Sequence, residues 1–255
     1  EVEKKKSFHD NSVGKPISNF NFIRYYFDKL LPINVNKCIY LDDDMIVKDE
    51  IKILFDSLDE NYDFAAVYPS FPYSLDKNKW IVDSKFRGEI SGNYLFNAGM
   101  YVFYRNICEK FDFTEKCHDI SEKNKIKQIY LGGTQPVMNL VCKNIKSIDK
   151  KWNQCGLGEN ISIDDINNLS NIIKSSYLLH YTGSYKPWLV KLNKKNINFL
   201  EEWYVYLEDI KDSDLLEYNL IYDNLVNLKK INSDNYKNLQ INITNKIIKI
   251  NLNYK

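Results

Sequence analysis

Short apolar runs alternate with amphipathic stretches between residues 18 and 190 of the chain. Runs rich in strand-forming residues predict strands at Cys38–Leu41, Phe64–Tyr68, Tyr94–Tyr104 and Tyr177–Tyr181. The first two runs contain no charged residue, which is typical of strands buried on both faces. The spacing of apolar residues predicts helices at Ser18–Leu31, Glu50–Leu58 and Arg105–Lys127, and a further helix that begins near Thr134. This alternation predicts an α/β fold with helices around a mostly parallel sheet.

The pattern changes beyond residue 190, which predicts a main domain of residues 1–190 and a C-terminal helical and β appendage of residues 191–255. Residues 193–226 are helical in pattern and strongly aromatic. Trp203 is therefore expected to pack this appendage on the core rather than to bind a ligand. Residues 239–252 largely alternate apolar and polar side chains, which predicts one or two half-buried strands.

An acidic stretch follows the first predicted strand. Asp42, Asp43 and Asp44 lie between that strand and the apolar triplet Met45–Val47. Carboxylates crowded in this way repel one another and lose hydration, and a bound divalent cation such as Mg2+ or Mn2+ relieves both effects. Because side chains two residues apart point the same way on an extended backbone, Asp42 and Asp44 can hold one ion while Asp43 faces elsewhere. The alternative interpretation is an acidic turn whose carboxylates are solvated by water.

Two further places combine polar groups with small residues. The amide of Asn97 interrupts an aromatic run in Asn97–Gly99, where it requires a buried partner or a ligand. A bulge or tight turn explains the same pattern. His180 lies in an apolar strand, where a histidine is usually a satisfied core residue, but Gly183 and Lys186 follow it closely. A lysine and a glycine together suit a phosphate group.

Composition and charge exclude some classes of partner. The chain has 35 basic and 34 acidic residues, a net charge of +1, and so no footprint for nucleic acid or an anionic membrane. No apolar run approaches the roughly 20 residues that span a bilayer. The charged start, Glu1–Lys6, does not fit a signal peptide. Five scattered cysteines show neither zinc spacing nor a disulfide framework. The cysteines therefore do not decide whether the protein is located in the secretory lumen or in the cytoplasm.

Three stretches taken together resemble glycosyltransferase family 8, the retaining nucleotide-sugar transferases. They are Tyr40–Val47, Phe96–Met100 and His180–Trp188. Two more stretches, Leu131–Pro136 and Trp152–Gly158, look closest to the plant galacturonosyltransferase branch, and bacterial lipooligosaccharide galactosyltransferases belong to the same family. The resemblance covers roughly residues 18–190. It implies a GT-A fold, with a Rossmann-like, mostly parallel sheet, and makes residues 1–190 the catalytic domain.

The resemblance implies a role for each residue that matches a family motif. Asp42 and Asp44 match the Asp-x-Asp motif, which binds Mn2+ together with the donor diphosphate, and His180 matches the third protein ligand of that ion. Mg2+ is the alternative ion. Asn97 matches an amide that contacts the donor sugar, and Gln135 matches a glutamine beside the anomeric carbon in bacterial members. Four residues are assigned to binding of the UDP-sugar donor: Arg24, Asp43, Gly183 and Lys186.

The function implied is Mn2+-dependent, retaining transfer of a hexose or uronic acid from a UDP-sugar to a glycan or to a protein- or lipid-linked acceptor. The chain departs from the family in two places. Bacterial members have acidic residues on both sides of the glutamine, whereas Thr134 and Pro136 stand there in this chain. The family also begins with a strand and a nucleotide-binding loop before the helix of Arg24, and residues 1–17 carry no strand pattern. The N-terminal portion is therefore expected to be absent.

Three alternatives remain open from the sequence. Arg24 lies off the apolar face of its predicted helix, so it is either a solvated charge or a site residue. A haloacid-dehalogenase-type phosphohydrolase also has Asp-x-Asp after a strand, but a threonine normally follows the second aspartate, and Met45 stands there. The last alternative is a catalytically inactive binding or scaffold module of the same GT-A fold.

Overall fold

A computed structural model of the protein describes residues 19–70, 73–159, 163–183, 186–187 and 202–203. The chain divides into two compact units. The first consists of Glu1–Asp43 with Asp49–Asn153, and the second of Asp44–Lys48 with Gln154–Lys255. The chain thus passes from one unit to the other inside the acidic stretch.

The boundary expected after residue 190 stays a prediction. The strands expected at residues 239–252 lie outside the described residues, and so does the helical segment expected at residues 193–226, apart from Glu202 and Trp203. In the described part of the chain, no helix has both the length and the apolar character needed to cross a bilayer.

The strands of the described residues are β1 (Lys37–Leu41), β2 (Met45–Val47), β3 (Phe64–Ala66), β4 (Met100–Tyr104), β5 (Ile145–Ser147) and β6 (Leu178–His180). All four predicted strands are present, although three are shorter than expected. The run from Tyr94 becomes a strand only at Met100, because the N–H groups of Phe96, Ala98 and Gly99 donate to side chains rather than to a neighbouring strand. The sequence analysis did not predict β2 and β5, which are only three residues long.

The α-helices are α1 (Phe27–Leu30), α2 (Ile51–Asp56), α3 (Lys77–Trp80), α4 (Ser84–Gly88), α5 (Arg105–Lys110), α6 (Phe113–Ile126), α7 (Thr134–Val141) and α8 (Ile163–Ser175). The helix predicted at Ser18–Leu31 is instead a 3-10 stretch, Asn19–Tyr25, followed by the short α1. The single helix predicted at Arg105–Lys127 is divided because Asp112 takes a left-handed backbone conformation with φ of 55°. The helix expected to begin near Thr134 is α7, with Gly133 as its N-cap residue and no side-chain cap.

The sheet of the first unit has the strand order β1-β4-β3-β5. Strand β4 is antiparallel to both β1 and β3, whereas β3 and β5 are parallel. Strands β1, β3 and β5 therefore run in one direction and β4 alone opposes them, which agrees with the predicted mostly parallel sheet. Burial on both faces is confirmed for β3 but wrong for β1, whose five residues are half-buried. Among the described strands, β1 pairs only with β4 and so lies at an edge.

Aromatic side chains dominate the core of the first unit. The ring of Tyr101 stacks on Phe64 with centroids 4.7 Å apart and on Tyr40 with centroids 5.0 Å apart. Phe27 of α1 stacks on Phe103 at 5.3 Å. These rings bury large apolar areas and link α1 with three neighbouring strands. The carboxyl end of β1, where the acidic stretch begins, is consequently anchored on a rigid core.

The second unit contains a two-stranded antiparallel sheet of β2 and β6, in which Met45 is paired with His180. Residues Leu169 and Ile173 of α8 are buried in one apolar cluster with Ile46 and Leu179. The sequence analysis did not predict α8, because its segment is rich in Asn and Asp, which are weak helix formers.

Candidate active site

In the first unit, Asp42 lies directly beyond the end of β1 and is held by two donors. Its Oδ1 accepts a hydrogen bond from the Tyr40 hydroxyl at 2.6 Å and from the Arg24 guanidinium at 2.8 Å. Its backbone N–H donates to the carbonyl of Gly99 at 2.8 Å. Because Tyr40 and Asp42 are two residues apart on an extended backbone, their side chains point the same way. The spacing of Tyr40 and Asp42 is visible in the sequence, but the sequence alone does not show that the Tyr40 hydroxyl binds the Asp42 carboxylate.

The guanidinium of Arg24 is buried, with 8% of the residue exposed, so the alternative of a solvated helix charge is excluded. Besides Asp42 it donates to the carbonyl of Ala98 at 3.0 Å and to the Tyr40 hydroxyl at 3.0 Å, and it lies 5.0 Å from the centre of the Tyr40 ring. Burial lowers the pKa of Arg24, but Asp42 and the nearby tyrosines Tyr40, Tyr101 and Tyr25 together outweigh burial and raise that pKa. Burial also raises the pKa of the Tyr40 hydroxyl, which therefore stays a donor.

The loop Phe96–Gly99 is held by side-chain amides in the same unit. Gln135 Oε1 accepts from Asn97 Nδ2 at 3.1 Å and from the backbone N–H of Ala98 at 3.0 Å. Asn97 Oδ1 accepts from the N–H of Gly99 at 3.0 Å and from Asn153 Nδ2 at 3.0 Å. The structure thus brings Asn97 and Gln135 together. Asn153 was quoted in a motif but given no role.

A second amide of α7 fixes the same loop. Asn139 Oδ1 accepts from the N–H of Phe96 at 2.8 Å, while its Nδ2 donates to the Phe96 carbonyl at 3.0 Å and to the Gln135 carbonyl at 2.9 Å. Asn139 lies four residues after Gln135 and so on the same side of α7. This spacing was visible in the sequence, but periodicity alone does not reveal that both amides bond to a loop.

In the second unit, the carboxylate of Asp44 lies between an imidazole and an ammonium group. Asp44 Oδ1 is 3.1 Å from His180 Nε2, and Oδ2 accepts from Lys186 Nζ. The backbone carbonyl of Asp44 accepts from the N–H of Tyr181 at 2.9 Å, which holds the two segments together. Burial raises the pKa of the Asp44 carboxyl, but His180 and Lys186 together outweigh burial and hold that pKa well below its usual range. Asp44 is therefore an ionised, buried carboxylate.

The other ring nitrogen of His180 faces a buried thiol. Nδ1 of His180 lies 3.7 Å from Sγ of Cys155, and the backbone N–H of His180 donates to the carbonyl of Gln154 at 3.0 Å. The ring is 2% exposed. These contacts fix the ring so that Nε2 is the nitrogen directed at Asp44.

Gly183 occupies a place that no other residue fits. Its φ is 123°, and a Cβ atom there would lie 2.3 Å from the carbonyl oxygen of Gly158. The chain is held at this point by the Gly158 N–H, which donates to the Thr182 carbonyl at 3.0 Å. Nearby, Lys186 Nζ also donates to the Tyr181 carbonyl at 2.8 Å. Gly183 thus keeps the segment before Lys186 close to the backbone of Gly158.

The predicted site residues therefore fall into groups within each unit. Arg24 meets Asp42 and Asn97 meets Gln135 in the first unit, and Asp44 meets His180 and Lys186 in the second. Asp43 is exposed, whereas Asp44 is buried. Two further residues, Tyr40 and Asn153, contact predicted site residues directly.

The model of the glycosyl transferase family 8 matches residues 1–191. The chain belongs to glycosyltransferase family 8. It is 32% identical over 177 residues to a probable galacturonosyltransferase-like protein 5 of Arabidopsis thaliana, a match that covers 66% of this chain and 48% of that protein. It is 30% identical over 224 residues to the probable galacturonosyltransferase-like protein 9 of the same plant, covering 82% and 56%.

Solved structures of glycosyltransferases resemble this chain in fold. The galactosyltransferase LgtC, solved with donor and acceptor sugar analogs, has a TM-score of 0.58 at 18% identity, covering 80% of this chain and 72% of that one. The glycosyltransferase GlyE of Streptococcus pneumoniae has a TM-score of 0.51 at 20% identity, covering 83% and 48%. At these identities the likeness shows the GT-A fold alone. This family 8 chain spans about half the length of the first curated relatives it matches, 48% and 49%.

Proposed function

We propose that this chain is a retaining glycosyltransferase that moves a hexose or uronic acid from a UDP-sugar to a glycan or to a protein- or lipid-linked acceptor, with Mn2+ as its ion and Mg2+ as the alternative. The observation that carries the proposal is the buried carboxylate of Asp44, which contacts both His180 and Lys186. Membership of family 8 supports the reaction class.

The donor set fits a hard divalent cation. Asp42, Asp44 and His180 each offer one ligand atom, a carboxylate oxygen or an imidazole nitrogen. His180 and Lys186 hold the pKa of the Asp44 carboxyl low. The Cys155 thiol lies beside the ring of His180, and the Gln154 carbonyl holds the backbone of His180. A bound ion supplies charge neutralisation of the departing nucleoside diphosphate.

The cationic side chains of the chain have separate tasks in this proposal. Lys186 is a compact point charge whose ammonium group now contacts Asp44. If a cation takes the place of Lys186 beside Asp44, the Lys186 ammonium group becomes available for a phosphate of the donor. Gly183 lets the backbone approach that phosphate closely. Arg24 orients the Asp42 carboxylate at the end of β1 through their ion pair.

The proposal leaves hexose and uronic acid as joint candidates for the donor sugar. The curated relatives carry the name galacturonosyltransferase-like, which favours the uronic acid. However, the neighbours of Gln135 are Thr134 and Pro136, both buried and neither acidic. Contacts from acidic side chains to sugar hydroxyls are therefore not available at these two positions.

The direct test is calorimetry of UDP binding to the chain, with Mn2+ and with EDTA. We expect binding in Mn2+ and none in EDTA, and loss of the Mn2+-dependent binding in the Asp44→Asn variant. Asp119→Asn is the matched control, because Asp119 is an exposed carboxylate that pairs with Lys123 on α6.

Two results would overturn the proposal. One is UDP binding that is absent or identical in Mn2+ and EDTA, which favours the scaffold module. The other is a phosphorylated Asp42, which is the covalent intermediate of a phosphohydrolase. Screening UDP-hexoses and UDP-uronic acids for Mn2+-dependent hydrolysis then identifies the donor.

A further inference from the structure

Three side-chain amides of the first unit form a continuous hydrogen-bonded relay. Asn153 Nδ2 donates to Asn97 Oδ1 at 3.0 Å, and Asn97 Nδ2 donates to Gln135 Oε1 at 3.1 Å. Asn153 is 1% exposed and Asn97 is 3% exposed, so water does not compete for the bond between these two residues. We call these three residues the amide relay.

Two backbone groups determine which way every amide of the relay points. The N–H of Ala98 can only donate, so the atom of Gln135 that lies 3.0 Å from it must be the carbonyl oxygen. The N–H of Gly99 likewise can only donate, so the atom of Asn97 that lies 3.0 Å from it is also an oxygen. Reversing any single amide would bring two donors or two acceptors together.

This polarity has a consequence for Gln135. An amide oxygen has two lone pairs, and Gln135 Oε1 already accepts two N–H groups. The oxygen is therefore satisfied, while Nε2, on the other side of the same amide plane, is a donor. Gln135 is only half-buried at the start of α7, so its side chain is accessible to a ligand.

The geometry points to Gln135 as a hydrogen-bond donor in sugar transfer and to Asn153 as the positioning residue that keeps it so. Nε2 of Gln135 is directed at an oxygen of the donor substrate, a sugar hydroxyl or the glycosidic oxygen, and Oε1 takes no part in the reaction. This inference rests on the proposed glycosyltransferase function for its chemistry. The orientation of the relay itself rests only on the contacts of Ala98 and Gly99.

A pair of amide-to-acid substitutions tests the orientation without measuring activity. In Gln135→Glu, a carboxylate oxygen replaces Oε1 and still accepts both N–H groups. In Asn153→Asp, an oxygen replaces the donating Nδ2 and meets Asn97 Oδ1 at about 3 Å. We expect the thermal midpoint of Gln135→Glu to stay within about 3 °C of wild type and that of Asn153→Asp to fall by roughly 4–10 °C at pH 7.

The control for the second substitution is Asn124→Asp. Asn124 is also buried, and its Oδ1 accepts from the N–H groups of Ile129 and Tyr130 at 2.6 and 3.0 Å, so an aspartate keeps both bonds. The thermal midpoint of Asn124→Asp should therefore change little from that of wild type. Lowering the pH should also reduce the loss of thermal midpoint in Asn153→Asp, because a protonated carboxyl group can donate a hydrogen bond to Asn97 Oδ1. Equal stability of Asn153→Asp and wild type, or a larger loss in Gln135→Glu, would overturn the relay.

Kinetics test the role of Nε2. Gln135→Glu and Asn153→Ala should lower kcat for Mn2+-dependent turnover of the UDP-sugar about 10-fold or more, while the affinity for UDP stays within about 2-fold. Unchanged kcat in Gln135→Glu would exclude Nε2 as the acting group. If wild type does not bind UDP with Mn2+, the proposed function fails and the role of Nε2 fails with it, whereas the stability measurements still decide the orientation.

Discussion

Asp44 and His180 lie side by side, with Oδ1 of the first 3.1 Å from Nε2 of the second, because β2 and β6 pair the residue after Asp44 with His180 itself. The N–H of Tyr181 closes the contact by donating to the Asp44 carbonyl at 2.9 Å. Two residues distant in the sequence are thus held by a backbone ladder, which positions side chains more rigidly than a loop does.

Loss of either member of this pair should abolish transfer without unfolding the chain. We expect Asp44→Asn and His180→Ala each to lower turnover of the donor on the order of 100-fold or more, because each removes a proposed ligand of the cation. Turnover with Mn2+ is the measurement, circular dichroism checks the fold, and Asp119→Asn is the control. Full activity in both variants would refute the assignment.

The stability of the chain should depend on Asp44 in acid. Its folded pKa is held below the unfolded value of about 3.9. A group with a depressed pKa contributes stability above the unfolded pKa and loses it as the pH falls through the folded pKa. As the pH is lowered below about 4, the free energy of unfolding of wild type should therefore decrease. The difference in this free energy between wild type and Asp44→Asn should become smaller over the same range. Urea unfolding of both proteins between about pH 7 and 2.5 measures this, and a difference that widens would contradict it.

The hydroxyl groups of Tyr40 and Tyr101 should contribute very differently to the free energy of unfolding. Tyr40→Phe removes the 2.6 Å hydrogen bond to the Asp42 carboxylate, and we expect a loss of about 1–3 kcal/mol in the free energy of unfolding. Tyr101→Phe is the matched control on the neighbouring strand. The Tyr101 hydroxyl is buried and has no hydrogen-bond partner among the described residues, so its removal should cost little. Urea unfolding of both variants decides the matter, and equal losses would refute the role given to Tyr40.

Gly183 should tolerate no side chain. In Gly183→Ala the Cβ would meet the Gly158 carbonyl at 2.3 Å at a φ of 123°, so this backbone must move. We expect weaker UDP binding together with a lower thermal midpoint. Gly92→Ala separates the two causes, because Gly92 also has a positive φ, 74°, but nothing lies within 4 Å of its Cβ position. If Gly92→Ala weakens UDP binding as much as Gly183→Ala does, the contact with the Gly158 carbonyl is not the cause of the weaker binding.

Most residues of the proposed site could be chosen from local patterns in the sequence. Asp42 and Asp44 follow a strand, and His180 lies in another with Gly183 and Lys186 in its exit loop; each of these could be chosen from residue type and spacing. The burial of Arg24 could not, because its helical face looked polar and the carboxylate that pairs with it lies in another element. The role of Asn153 was likewise hidden, since an amide shows neither its direction nor its partner in a sequence.

The sequence by itself determined the alternation of strands and helices, the acidic stretch and the family, because these depend on residues near one another along the chain. Only the tertiary structure decided that β1 lies at an edge of the described sheet and that β4 opposes its neighbours. It alone decided that the Ala98 and Gly99 N–H groups orient the amide relay. The physical reason is that periodicity reports which face of an element is buried, whereas strand order and hydrogen-bond direction depend on the partner that folding brings to that face.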